Sequence, residues 1–481
     1  MCPPDFVCDR KGTSPLICVR RPLFPKFSEA DVVASVLAFW VAVLAAIAGM
    51  GGGELLLPIY ILAAGFAVHE AIPLGQVTSL GGAVVTLIIN LMRHHPVDSR
   101  RSIIAYLPLQ YIMPPMVVGN VFGVFVQTMS PIWFIVSLLV IVLGYASYAT
   151  THQSIVMYSK HIDEQKSISE KSNPSYKAIR QEDAGSDEED YHDIDSGDSS
   201  IADDNSDISE SVDDNDVEGP IPSLLHESQE DSKLLRASYK QIVMREHAPW
   251  IYQFQLLLFL VAVIATTLCR GGNPRIPSVV GVHVCSPMFW VITALTVPVL
   301  LSFMIYPAFR LKWEHTIKEK LHCNHQSGEI VWSFSHLITY PLLFFVVGLV
   351  SGMIGISGGI FISPLLLALG LFPEVAVATS ATSVFINALS SSLNFYVLDQ
   401  LLLDYAAWYF GIGIAGALFG ALFMRWLFIQ FKLVHIVGFV VAGLICIGTV
   451  LMVYVGVVQL VNGIKTNTNL VFKGFCRSVA S

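Results

Sequence analysis

The chain has 481 residues, 54% of them hydrophobic and only 14% charged, with a mean hydropathy of +0.62. Apolar runs of 18 or more residues recur along it, which excludes an ordinary soluble domain and predicts an all-α, polytopic membrane protein. The formal net charge of −9 hides a division: 20 of the 37 acidic residues lie between Glu182 and Asp231, where there is no Lys or Arg, so the remainder is basic, 28 residues against 17.

Residues 1–30 form an N-terminal segment carrying Cys2, Cys8 and Cys18, without the apolar stretch of a signal peptide. Residues 31–150 hold a first transmembrane repeat, with candidate spans at 32–49, 71–92, 104–127 and 132–149 and a shorter apolar run at 54–67. Residues 151–248 are rich in Asp, Glu and Ser and poor in aromatics. Such a loop buries too little apolar surface to offset its ordering entropy and is expected to be disordered. Ser186, Ser200 and Ser211 each have an acidic residue three places on, which suits an acid-directed kinase; a solvated tether is the plain alternative.

Residues 249–330 supply a linking pair of spans, 251–269 and 288–308, and a cytoplasmic loop. Cys269 and Cys285 flank 270–287 and could pair there if that loop faces an oxidising compartment. His322-Cys323-Asn324-His325 has the look of a ligand set but lacks partners, so neither metal nor cofactor is expected. Residues 331–460 hold a second repeat, with spans at 335–354, 375–396, 405–424 and 433–457 and a short run at 360–372; residues 461–481 are a tail. Ten to twelve membrane segments result, in the plasma membrane or an endomembrane.

One motif occurs in both repeats. Gly49-Met-Gly-Gly52-Gly53-Glu-Leu-Leu-Leu-Pro58 matches Gly355-Ile-Ser-Gly358-Gly359-Ile-Phe-Ile-Ser-Pro364, and a Thr-Ser pair follows each, Thr78-Ser79 and Thr379-Ser380. Glycine clusters break helices in lipid only where the freed backbone lines a cavity. Paired breaks in two halves point to a transporter's binding site. Loop charge orients the halves. Arg93, Arg100 and Arg101, and later Arg310, Lys312, Lys318 and Lys320, read as cytoplasmic, whereas Asp399 and Asp404 mark an external loop. The loops after the two Thr-Ser helices thus fall on opposite sides, which predicts inverted repeats with broken or short helices. Counting every apolar run as a crossing puts both termini outside, although Arg10, Lys11, Arg20, Arg21 and Lys26 would favour the cytoplasm.

These residues suit a small oxyanion. Unpaired N–H groups and the positive dipole end at a helix start replace its water. Gly52, Gly53, Gly358 and Gly359 let the backbone approach, and Pro58 and Pro364 are expected early in the following helix, where a missing donor costs least. Thr78, Ser79, Thr379 and Ser380 supply hydroxyl donors, with Ser383 one turn on. The alternative is that the glycines only allow close helix packing and the hydroxyls bond their own helices. Glu54, facing Ile360 in the second copy, is a proton-coupling candidate; equally, it is a carboxylate stabilised at a helix start. Asn90, Asn387 and Asn394 either bond between helices or line the path.

At these residues the chain resembles the TauE/SafE, or sulfite exporter, family of membrane anion transporters. The resemblance rests on the two Gly-x-x-Gly-Gly-x4-Pro motifs and the Thr-Ser pairs, and covers roughly 22–150 and 250–460. The stretch from Ala71 to Gly82, continuing to Asn90-Leu-Met-Arg-His-His-Pro96, and Pro22-Leu-Phe-Pro25 look like the eukaryotic, plant-like branch. Ser357, where the first copy has Gly51, and the acidic insertion depart from the pattern. The resemblance implies a transporter, an exporter by direction, of small sulfur-containing anions such as sulfite or organosulfonates, with protons as a candidate partner and no nucleic-acid partner. An intramembrane enzyme would need a nucleophile–base pair, a helix-borne His-Glu metal motif or paired aspartates in the membrane, and the sequence has none, so no enzyme is expected. The rival reading is a membrane signalling or scaffold protein with a phosphorylatable acidic loop.

Overall fold

A computed structural model describes residues 6–9, 17–20, 23, 27–48, 51–95, 101–172, 249–271, 278–283, 285–320, 334–356, 358–431, 443, 445–458, 461, 472 and 474–476. A short antiparallel hairpin, β1 Phe6–Asp9 and β2 Ile17–Arg20, sets Cys8 opposite Cys18. The described elements after it are helices: α1 Glu29–Ala48, α2 Gly53–Leu62, α3 Val68–Leu91, α4 Tyr106–Met129, α5 Ile132–Ser172, α6 Pro249–Arg270, α7 Pro287–Lys320, α8 Phe334–Ile354, α9 Gly359–Ala368, α10 Pro373–Val397, α11 Leu403–Phe431 and α12 Ile445–Val458. Nine of these described helices are long and apolar enough to cross a membrane, and the shorter α12 is a tenth apolar helix. The protein is an integral, multi-pass membrane protein.

The chain clusters as two units, Met1–Val156 with Ser238–Ser481, and Met157–Ala237. In the second unit the described residues are the last turns of α5, which reaches Ser172. The disorder expected from residue 151 is therefore not what residues 151–172 show: the helix persists for several turns beyond its apolar run. The acidic residues from Glu182 to Asp231 lie outside the described residues.

The membrane body is centred on α4 and α10, whose spans are 89% and 83% buried, against 22% for α6 and α7. Small residues let the central helices touch. A Cβ on Gly119 or Gly123 of α4 would strike the backbone of Phe345 or Leu349 of α8, and one on Gly348 would strike Met116 in return. Close backbone approach of this kind is how helices gain packing energy in lipid, where the hydrophobic drive between them is absent.

The two halves are built as inverted copies. Phe27, just ahead of α1, packs its ring 5.3 Å from Trp408 near the start of α11, and Phe66, just after α2, lies 5.0 Å from Tyr405. The chain thus enters along α1, breaks at the first glycine motif and returns along α2 to the same end. In the second half, the Tyr111 hydroxyl near the start of α4 donates to Leu337 O near the start of α8, and Phe372, just ahead of α10, packs 5.7 Å from His95. Both limbs of that second half meet the stretch from the end of α3 to the first turns of α4. The 24 residues of α3, about 36 Å of helix, separate these two ends.

Two expectations are corrected. Pro58 and Pro364 are interior to ten-residue helices that begin at Gly53 and Gly359, immediately after the glycine that breaks the chain. Each therefore removes an intrahelical bond rather than sitting where none exists. Cys285 pairs with Cys476, not Cys269; Cys269 is a free thiol. The expectation weighed only cysteines near in sequence, whereas the fold brings the segment around Phe475 against Phe289 and Phe125, with rings 6.0 and 4.9 Å apart.

Candidate functional site

The glycine motifs do the same thing twice. Gly52 and Gly358 are the N-caps of α2 and α9, both left-handed, with φ of 70° and 79°, and neither cap has a side-chain hydrogen bond. Only glycine adopts this conformation without strain. The first intrahelical bonds run from Leu55 and Leu56 N–H to Gly52 O, and from Phe361 and Ile362 N–H to Gly358 O. The N–H groups of the two residues after each cap, Gly53 and Glu54, Gly359 and Ile360, thus have no acceptor within their own helix.

The fold brings the copies together. A Cβ placed on Gly359 would stand 3.5 Å from Gly51 N, 3.5 Å from Ser380 Oγ and 2.6 Å from Val384, so the second helix start lies against the first break. Beside this junction is a narrow, partly open cavity. It is walled by alanines of α1, by Gly51 and Leu56, by Thr78, Ser79 and Thr86 of α3, and by Ala381 and Val384 of α10.

The four hydroxyls are not equivalent. Thr78 Oγ1 donates to Leu74 O at 2.8 Å and lies 2.7 Å from the Tyr60 hydroxyl of α2. Thr379 Oγ1 accepts from Ala105 N–H at 3.0 Å, and Ser380 Oγ donates to Gly359 O at 3.2 Å. Ser383 bonds back to Ser380 O at 2.6 Å. Ser79 differs: it is 4% exposed and its Oγ has no partner among the described residues. A turn earlier on the same face of α3, Gln76 is fully buried and neither amide atom has a partner there. Sequence reasoning gave Gln76 no role, although an amide one turn from a Thr-Ser pair inside an apolar span was a readable signal. The side chains of Glu54 and Ile360 lie outside the described residues, as does His322–His325. Among the described residues, no group of three His, Cys, Asp or Glu side chains is placed to hold a metal.

The family model described as Sulfite exporter TauE/SafE matches residues 248–452. Sulfite exporter TauE/SafE family protein 1 of Arabidopsis thaliana is 22% identical over 447 residues, 92% of this chain and 88% of that protein. Family protein 5 of the same plant is 23% identical over 454 residues, 94% and 88% of the two chains. The chain is thus similar to the TauE/SafE family, by its second half in the family model and along most of its length in the plant relatives. Its likeness to plant members agrees with the plant-like features of the first repeat. No solved structure matches it.

The two halves of the chain diverge at matched positions. The residue seven before the N-cap glycine is Ala45 in the first half and Ser351 in the second; the residue eight after the threonine is Thr86 in the first and Asn387 in the second. In the second half these polar groups fill the space. Asn387 Nδ2 donates to Ser351 Oγ at 2.7 Å, Ser351 Oγ donates to Ile356 O, and Met116 lies against Gly358. Asn120 Nδ2 completes the network, reaching Asn387 Oδ1 and Ser391 Oγ at 2.7 Å each. In the first half, Ala45 and Thr86 instead line the cavity. The first half therefore has an open cavity where the second half is filled by side chains.

Proposed function

We propose that the chain transports small sulfur-containing anions, such as sulfite or organosulfonates, across its membrane in the export direction. The names of its plant relatives motivate the anion, and the observation that carries the site is Ser79. Its buried, unpartnered hydroxyl lines a cavity at the junction of two glycine-broken helix starts. A buried polar group without a partner is costly, and an oxyanion offers the missing acceptor. In this reading Gly52, Gly53, Gly358 and Gly359 present backbone N–H groups to the anion, and Thr78 and Ser79 face it. Thr379 and Ser380, whose hydroxyls are engaged elsewhere, hold the second helix start in place. Gln76 supplies an amide donor below Ser79.

A monovalent anion leaving an inside-negative compartment gains about 2.3 kcal/mol per 100 mV, so export needs no coupled ion. Glu54, adjoining the first helix start, is the group through which protons would be coupled, and the acidic loop with Ser186, Ser200 and Ser211 is where a kinase would act. Flux of sulfite, sulfate, thiosulfate and a sulfonate into and out of proteoliposomes tests the reading. Sulfite or sulfonate movement that Gly359→Leu abolishes at equal incorporation is expected; undiminished flux in that variant would refute the site.

A further inference from the structure

The last residue of α6, Arg270, is 1% exposed inside the membrane body. Its guanidinium lies 4.9 Å from the centroid of the Phe125 ring, and its Nη2 donates to Asn394 Oδ1. Its Nε has no partner, and no carboxylate lies within salt-bridge distance, among the described residues. The surrounding sequence offers none either: residues 247–313, 99–162 and 375–398, which contain α6, α4 and most of α10, include no Asp or Glu. Nor is the cation spent on the end of its own helix. Thr267 O accepts from Gly271 N, Leu268 O from Val279 N and Cys269 O from the Ser278 hydroxyl.

A buried charge with one neutral acceptor is unstable unless something balances it. A guanidinium carries five donors in a planar fork suited to an oxyanion, and a ring face and one amide leave most of that fork unused. Position adds a second argument. Asn394 donates to Ser390 O, and along the same helix Ser391 and Asn387 join Asn120 in the network that ends beside Gly358. Buried polar groups thus run from the second glycine motif to Arg270. The Cys285–Cys476 disulfide lies at that same end, where Phe475 packs edge-on against Phe125, and disulfides persist on the oxidising side of a membrane.

We propose that Arg270 and Asn394 form a second anion-binding station at the non-cytoplasmic end, separate from the cavity at Ser79. It takes a small oxyanion passing to or from that cavity. The class of ligand rests on the transport reading; the existence of the station rests on the unbalanced guanidinium.

The test is anion binding to the purified full chain by titration calorimetry, with sulfite and methanesulfonate as probes and thermal unfolding in parallel. The wild type is expected to bind two equivalents, Arg270→Gln one, and Ser79→Ala to weaken only the other. Asn394→Asp guards against a misfolded Arg270 variant, because it gives the guanidinium a resident counter-charge. It is expected to raise thermal stability while removing the second equivalent. Two equivalents retained in Arg270→Gln, or undiminished affinity in Asn394→Asp, would overturn the station and leave the transport reading standing. No binding of either probe by the wild type would overturn both.

Discussion

The Ser380 hydroxyl donates to the carbonyl oxygen of Gly359 across 3.2 Å, tying α10 to the first residue of the second short helix. Its counterpart in the first half, Ser79, makes no such bond and borders the cavity instead. Equivalent residues in two halves of one fold thus differ, one holding the framework and one with its hydroxyl unpartnered among the described residues.

That division is measurable. Ser380→Ala should cost about 1 kcal/mol of stability, the usual net worth of a buried hydrogen bond. Ser79→Ala should leave the melting temperature unchanged or slightly higher while raising the KM for anion flux. Thermal unfolding and proteoliposome flux on the same preparations read both effects. Equal loss of stability in the two variants would contradict the assignment.

The N-cap glycines are constrained by conformation and by space. Gly52→Ala places a Cβ 2.7 Å from Ala45 Cβ at a left-handed φ, and Gly358→Ala drives one into Met116. Left-handed backbone alone costs an L residue about 1–2 kcal/mol. Gly358→Ala is expected to be partly rescued by Met116→Ala, which clears the space, whereas Gly52→Ala should gain nothing from that change. Melting temperatures of the single and double variants decide it.

The Asn120 amide bonds to Asn387 and Ser391 in a site without exposure. Asn120→Leu strands the Asn387 and Ser391 polar groups and should destabilise the body by about 1–3 kcal/mol. Replacing the two facing residues as well, in Asn120→Leu with Asn387→Leu and Ser391→Ala, should recover part of that loss. Denaturation of the single and triple variants compares them directly.

The disulfide reports sidedness. If Cys285 and Cys476 face the outside, an impermeant maleimide should label them in intact cells only after reduction, and Cys476→Ser should make Cys285 reactive without it. Losing the bond should lower stability by about 2–4 kcal/mol, since it closes a loop with a sequence separation of 191. Labelling restricted to permeabilised cells would reverse the orientation.

Much of this was legible in the chain itself. Apolar runs long enough for lipid gave the spans, loop charge gave the inverted halves, and the paired glycine motifs located both helix breaks, because each is a local property that lipid forces on the chain. Hydroxyl partners were not legible: nothing in Thr-Ser written twice says that Thr379 bonds Ala105 while Ser79 stays free. Nor could spacing show that Cys285 would find Cys476, or that Arg270 would be buried against Phe125 and Asn394. Those depend on which helix faces which, and a hydrogen bond or a buried charge is settled by a few ångströms of packing between residues far apart in sequence. The sequence by itself determined where the membrane helices break; only the tertiary structure decided that the space beside one break is open and its counterpart beside the other is filled, because that depends on which side chains pack across it.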